Sequence, residues 1–240
     1  VRLSDLSERL GLNRTTLFHL LATLQAHGWV ARDPARRYAL GARFLDVSSR
    51  YLRQLLAFDI GALARPYMEA LWRALNETVH LSVLDRSNRV VIDVDSIEST
   101  RELRTAGGIG QPKPLYCTAS GKVFLAYMPD DERESHLAAA ALTPRTGRTI
   151  TDPDRLRREL GAVRERGYAL DDREYDPDIF CMAAPVFKAP DQPGAALMIS
   201  FPANRLQVRA VEEVSAQLRD VAAQVSLALA ARLERASRLP

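Results

Sequence analysis

The sequence predicts an α+β protein in two parts. A small head reads as helix, turn, helix and β-hairpin, and a larger domain reads as an antiparallel sheet flanked by helices. Three observations lead there. Two short amphipathic segments near the N-terminus are separated by a turn of about three residues, the spacing of a helix-turn-helix, and a hairpin signature follows them. The charge is unevenly placed: residues 1–58 hold nine Arg against four acids, whereas the whole chain of 240 residues nets only +3. Beyond residue 59, strand-like and helix-like runs mix without regular βαβ alternation, which favours an antiparallel sheet.

In the head, Ser4 is placed to cap a first helix, with Asp5 and Glu8 in its opening turn, where the helix dipole favours acids. Leu3, Leu6 and Leu10 recur at helical spacing, and Gly11 ends the segment. Asn13 caps a second helix whose apolar residues Leu17, Leu20, Leu21 and Leu24 share a face, and Gly28 stops it. Trp29 to Ala31 reads as a strand, Asp33 to Arg36 as a turn, and Arg37 to Leu40 as the returning strand. That hairpin forms a wing with Arg32, Arg36 and Arg37 at or near its tip. After Gly41 a helical run follows, with Phe44, Val47, Tyr51, Leu55 and Phe58 on or near one face, long enough to join two domains.

The second part opens with a helix over 60–75 carrying Leu63, Tyr67, Leu71 and Leu75 on one side. Thr78 to Leu84 and Val90 to Val94 read as strands about a Ser87-Asn88 turn. Residues 107–114 are dense in Gly and Pro and read as a loop. Helices follow at Ser120 to Met128 and near 130–141. Asp152-Pro153 opens another by capping and proline-at-first-turn logic, and Gly167 closes it. Tyr168–Asp171, Ile179–Phe187 and Ala195–Phe201 read as strands, and a long amphipathic helix runs from about Asn204 to Arg235.

Composition narrows the function classes. No window approaches the 18 or more apolar residues of a membrane span, and the N-terminus lacks the basic-then-apolar run of a signal peptide, so the cytoplasm is expected. Two cysteines, Cys117 and Cys181, point to neither a disulfide framework nor a zinc cluster. The basic head on a nearly neutral body is the asymmetry of a nucleic-acid-binding module, a merely solvated Arg-rich surface being the plainer reading.

Four features carry candidate chemistry. Arg14, Thr15, Thr16, Phe18 and His19 occupy the exposed opening turns of the second helix, opposite its leucines, where a recognition helix meets the major groove. Arg14 suits phosphate or guanine, and the Thr hydroxyls suit phosphate or base edges. The junction Cys117-Thr118-Ala119-Ser120-Gly121-Lys122 offers open backbone N–H groups to a ligand carboxylate, with ordinary capping by Thr118 or Ser120 as the alternative. The run Asp171-Asp172-Arg173-Glu174 suits a ligand or metal, or simply a solvated loop, and Cys181 reads as a small buried hydrophobe. Cys117 ahead of a helix and His80 on a strand raise a catalytic reading, but their order fits no nucleophile motif. His19, His27 and His136 form no closely spaced ligand pair, so no metal and no catalytic residue is assigned.

Taken together these stretches resemble the IclR family of transcriptional regulators over nearly the whole chain. The resemblance rests on Leu6 to Thr16, Leu20-Leu21 to Gly28 and Arg37 to Gly41 in the head. In the second part it rests on Glu77 to Leu81, Ala119 to Lys122, Thr143 to Thr146, Arg164 to Ala169 and Cys181 to Phe187. It implies a winged helix-turn-helix over 1–41, a linker helix over 42–58 and a GAF-like effector-binding domain over 59–240. The implied partners are double-stranded operator DNA, a second copy of the chain with dimers pairing into tetramers, and a small organic acid, either a keto acid or an aromatic carboxylate. No cofactor and no enzymatic activity are implied, and the genes controlled would be catabolic or metabolic. Family pocket positions carry over to Thr105, Ala119, Ser120, Asp171, Cys181, Met198 and Ser200. Three departures stand out. The family's first head helix would precede Val1, His19 stands where the family has an arginine, and Met198 stands where a glyoxylate-type relative has Ser. A regulator that senses oxidation through Cys117 or Cys181 is the alternative.

Overall fold

Local chemistry in the first few residues already decides where the first helix starts. In the computed structural model, which describes residues 1–47, 60–205 and 208–237, α1 runs Leu3–Leu10. The Asp5 carboxylate reaches back to accept the Arg2 backbone N–H at 3.3 Å. Ser4, expected as the cap, lies one residue inside the helix and donates its hydroxyl to Asp5 instead. In α2, Arg14–Ala26, the expected cap is present: Asn13 Oδ1 accepts the Thr15 N–H at 2.9 Å. β1 (Val30–Arg32) and β2 (Tyr38–Leu40) pair antiparallel with Ala31 opposite Ala39.

The core of this first unit is small. Leu17, Leu21 and Tyr38 are buried, with Leu3, Leu6 and Val30 packed against them. Leu10, Leu20 and Leu24, expected on the inward faces, are exposed among the described residues. Only the i, i+4 pair of α2 faces the hairpin, so its buried stripe is narrower than the leucine pattern suggested. Residues 43–47 are helical, while the remainder of the expected 42–58 helix, including Tyr51, Leu55 and Phe58, lies outside the described residues. By internal contact the chain divides into Val1–Ala57 and Phe58–Pro240.

The second unit is built on a six-stranded antiparallel sheet. Its strands are β3 (Thr78–Asp85), β4 (Val90–Ile97), β5 (Pro112–Pro114), β6 (Ala169–Asp172), β7 (Ile179–Ala189) and β8 (Gln192–Pro202), in the order β5-β4-β3-β8-β7-β6. The hairpins β3–β4 and β7–β8 meet along β3 and β8, which places residues far apart in sequence side by side. The 107–114 segment, expected to be all loop, ends in the short edge strand β5. An edge tolerates its two prolines, because a missing N–H there leaves no ladder bond unmade. β4, β7 and β8 run two to four residues longer than alternation alone indicated.

Helices cover both faces. α3 (Ile60–Leu75) and α7 (Val208–Ser237) pack on one side, against β3, β4, β7 and β8. α7 begins four residues later than expected, after a turn at 203–205. On the other face lies α4 (Ala119–Tyr127), with α6 (Pro153–Arg166) behind it, and α5 (Asp130–Ala139) follows α4 in the chain. α6 has the expected punctuation: Asp152 caps it through the Arg155 N–H, and Gly167 ends it at φ +77. Both sides are packed: Val123, Leu125, Leu156 and Val163 on the α4 side and Ala64, Met68, Leu218 and Val225 on the other are inaccessible to solvent. No helix among the described residues is long and apolar enough to cross a membrane.

Candidate functional site

In the first unit, Arg14, Thr15, Thr16, Phe18 and His19 are all exposed on α2, as are Arg32, Arg36 and Arg37 on the hairpin. The three wing arginines are not equivalent. Asp33 accepts both the Arg37 backbone N–H and its Nε, each at 2.8 Å, so the turn ties Arg37 down. Arg32 lies over the Tyr38 ring at 5.2 Å. Arg36, at the tip with φ +61, has no ion pair among the described residues. Among the expected DNA-contacting residues, Arg14 and Arg36 are therefore the least encumbered cations.

The second unit holds a partly open cavity of about 160 Å³ on the α4 face of the sheet. Strand register explains its lining. Thr78 pairs with Ser200, Ser200 with Cys181, and Cys181 with Asp171, so one row across β3, β8, β7 and β6 points to the same face. The adjacent row holds His80, Met198, Ala183 and Ala169. The start of α4 lies over these rows and contributes Thr118 and Ser120. The turn leading into α4 is tight, since a Cβ on Gly121 would fall 2.3 Å from the Leu115 carbonyl oxygen. The 98–111 loop closes one end through Thr105, and Tyr175 and Ile179 close the other.

Polar atoms in the cavity form a connected set. Ser200 Oγ lies 2.5 Å from Thr105 Oγ1 and 2.8 Å from His80 Nε2. Asp93, on β4 behind His80, accepts from Ser82 at 2.6 Å and from Lys113 Nζ at 2.7 Å. His80 Nδ1 is buried without a hydrogen-bond partner and lies 3.6 Å from Asp93. Burial depresses the imidazole pKa to about 4 against the opposing pull of Asp93, so His80 is neutral near pH 7. For Lys113 burial works against the charge, but the Asp93 carboxylate overrides it and raises the pKa.

At the far end of the row, Asp171 is 3 % exposed. Burial pushes its pKa up to about 7, although Oδ1 accepts the Glu174 and Tyr175 N–H groups and Lys122 is near. Lys122 is itself buried and pairs with Glu174. The two thiols are buried as well. Desolvation raises Cys117 to about 12 and Cys181 well above its ordinary value.

Six of the seven expected pocket positions, Thr105, Ser120, Asp171, Cys181, Met198 and Ser200, therefore line one cavity. Ala119 is fully buried at the start of α4 but is not part of the lining. The reading of Asp171 to Glu174 as a solvated loop does not hold for Asp171 and Glu174, which are buried. Sequence reasoning missed Lys113 and passed over His80, and both line the cavity. The signal for His80 was present in the Thr78, His80, Ser82 alternation. Lys113 had none, because its place follows from the β5 edge pairing. No cluster of His, Cys, Asp or Glu suited to a metal occurs among the described residues.

A winged helix-turn-helix that exposes its cations, joined to a unit with a cavity that carries a few polar anchors, defines a class of protein: a ligand-responsive, DNA-binding transcriptional regulator. The chain matches the family profile of the bacterial transcriptional regulator IclR C-terminal region over residues 52–227 and that of the IclR helix-turn-helix domain over residues 1–34. It belongs to the IclR family. It is 32% identical over 229 residues to the transcriptional repressor IclR of Escherichia coli K12, covering 95% of this chain and 82% of that one. It is 33% identical to the HTH-type transcriptional regulator KdgR of the same organism over 94% of this chain and 84% of KdgR. The crystal structure of Thermotoga maritima IclR superposes with a TM-score of 0.81 at 31% identity, over 96% of this chain and 91% of that one.

Proposed function

We propose that the chain is a cytoplasmic, homodimeric regulator, with dimers pairing into tetramers, that controls catabolic or metabolic genes in response to a small organic acid. In this reading α2 enters the major groove of operator DNA through Arg14, Thr15, Thr16, Phe18 and His19, and Arg32, Arg36 and Arg37 of the wing hold phosphates. The effector occupies the cavity of the second unit, and no catalytic step is assigned to it. One observation carries the reading: the six lining positions come from five separated stretches of sequence, yet they converge on one cavity.

The effector's carboxylate would sit at the start of α4, where Thr118 and Ser120 line the cavity and a helix N-terminus favours an anion. Ser200 and Thr105 supply hydroxyls at one wall, and Asp171 supplies an acid at the other. Met198, Cys181 and Ile179 make the remaining wall apolar. The cavity of about 160 Å³ is close to the size at which a buried apolar cavity admits one benzene ring. A single-ring aromatic acid, or an aliphatic acid of similar bulk, suits it better than glyoxylate. Calorimetry against glyoxylate, pyruvate, 4-hydroxybenzoate and protocatechuate tests this. Binding of a ring acid supports the size argument, and tight binding of glyoxylate alone refutes it.

Oxidation sensing is the weaker alternative. The thiolate is the reactive species, and burial disfavours it at both cysteines.

A further inference from the structure

Outside the cavity, a surface groove of about 520 Å³ runs between β4–β5 and α5. Its ionisable walls are Arg89, Lys113, His136, Tyr116 and Arg145, and no Asp or Glu lines it. In this unit most arginines lie against a carboxylate, as Arg86 does with Glu132 and Arg148 with Asp172. Arg89 and Arg145 do not: neither has a salt bridge among the described residues. Arg89 makes only a long contact, 3.4 Å, to the Ser135 carbonyl. Arg145 gives Nε to the Tyr175 carbonyl at 3.3 Å and stacks on that ring, which leaves its other donors free. Ala139, Ala140 and Ala141 wall the opposite side with small side chains that leave room between the cations.

Lys113 lines both this groove and the cavity. Its ammonium is bound to Asp93, and Asp93 stands 3.6 Å from the unpartnered Nδ1 of His80, whose other nitrogen reaches Ser200. A charge placed in the groove thus acts on a series of neighbouring charged and polar groups, linked by the Lys113–Asp93 ion pair, the Asp93–His80 approach and the His80–Ser200 hydrogen bond, that ends on the cavity wall.

We propose that the groove is a second anion site, distinct from the effector cavity, for a compact small-molecule polyanion, either a polycarboxylate or a phosphorylated metabolite, and that Lys113 couples it to the cavity. The site itself is independent of the effector reading, whereas the consequence of the coupling rests on it. Two arginines with free donors present the planar forks that match carboxylate and phosphate oxygens. An anion there draws the Lys113 ammonium away from Asp93. Asp93 then lies nearer in charge to His80 and changes the hydrogen bonding offered to an effector at Ser200. By linkage, an effector that alters the same series changes anion affinity by the same factor.

The test uses the whole protein with citrate and inorganic phosphate as probes, titrated calorimetrically at ionic strength held constant with sodium chloride. Saturable binding is expected, at least tenfold weaker in Arg89→Gln and in Arg145→Gln. Citrate binding alone identifies a polycarboxylate site, and phosphate binding alone a phosphate-ester site. Two NMR readouts are local. Either anion raises the pKa of His136, which burial and then Arg89 depress and to which Glu132 is the opposing neighbour. Citrate also shifts the His80 imidazole nitrogen signals in the wild type and leaves them unmoved in Lys113→Met. The absence of binding by both probes overturns the site, as does equal affinity in wild type and Arg89→Gln. His80 signals that ignore saturating citrate in the wild type overturn the coupling.

Discussion

Replacing Asp171 by Asn removes one of two buried titrations whose effects on stability oppose each other. Asp171 has its pKa raised from an ordinary 3.8 to about 7, chiefly by burial. Between those values the folded state keeps a proton that the unfolded chain has released, so stability falls as pH rises. A separation of that size is worth about 4 kcal/mol. His80 runs the other way. Burial lowers it from 6.5 to about 4, and in that window the unfolded chain binds a proton that the folded state refuses. Stability there rises with pH, by about 3 kcal/mol in all. From pH 4 to 6.5 the two slopes, each about 1.4 kcal/mol per pH unit, nearly cancel. Asp171→Asn keeps an oxygen to accept the Glu174 and Tyr175 N–H groups, so it isolates the His80 slope, and its stability should climb across the window. His80→Gln should show the reverse. Urea unfolding at pH 4.5, 5.5 and 6.5, followed through Trp72 in a Trp29→Phe background, reads both slopes. Parallel pH profiles in wild type and Asp171→Asn would refute the argument that burial holds a proton on Asp171.

Other consequences follow from single contacts. Arg14→Ala and Arg36→Ala should each lower the log–log salt slope of DNA binding by about 0.9, the loss of one phosphate contact. Arg37→Ala should change it less, because Asp33 already holds that guanidinium; equal slopes in all three variants would remove the distinction. Gly121→Ala places a Cβ 2.3 Å from the Leu115 oxygen. A cost of about 1–3 kcal/mol is expected for such overpacking, read as a lowered melting temperature, and an unshifted melt would show that the turn into α4 is not packed as described. With Cys117 raised from 9.0 to about 12, its thiolate fraction at neutral pH drops about a thousandfold, so a disulfide reagent should label the folded protein far more slowly than the urea-unfolded chain. Equal labelling rates would revive oxidation sensing.

How much of this was legible in the sequence depends on the range of the interaction involved. Short-range signals read well: Asn13 and Asp152 cap their helices, Gly11 and Gly167 end theirs, and the 33–36 turn makes the hairpin. Ser4 failed as a cap because Asp5 could serve the Arg2 N–H from inside the helix, a competition between neighbours that spacing does not resolve. Leu20 and Leu24 fit a helical period but are exposed among the described residues, since period fixes a face and not what covers it. In the cavity, the expected positions came from the family resemblance, and strand register supplies their physical reason, Ser200 standing between Thr78 and Cys181. Lys113 became visible only through the β4–β5 pairing, a contact that two prolines had disguised as loop. The depth of Asp171 was likewise hidden, because a run of charges reads as solvated until the helix that covers it is in place.

The central claim is that an acid held in the second unit's cavity controls DNA binding by the first. Its most direct test is fluorescence anisotropy on a DNA selected for binding from random sequence, with and without each organic acid that binds the wild type. Ser120→Leu is measured beside it. Ser120 is 1 % exposed at the cavity wall, and a leucine there fills the carboxylate's seat. The account predicts that at least one acid shifts the wild-type affinity for that DNA, and that Ser120→Leu binds the DNA equally well but ignores the acid. An equal response in both proteins would contradict it, as would bound acids that leave the wild-type affinity unchanged.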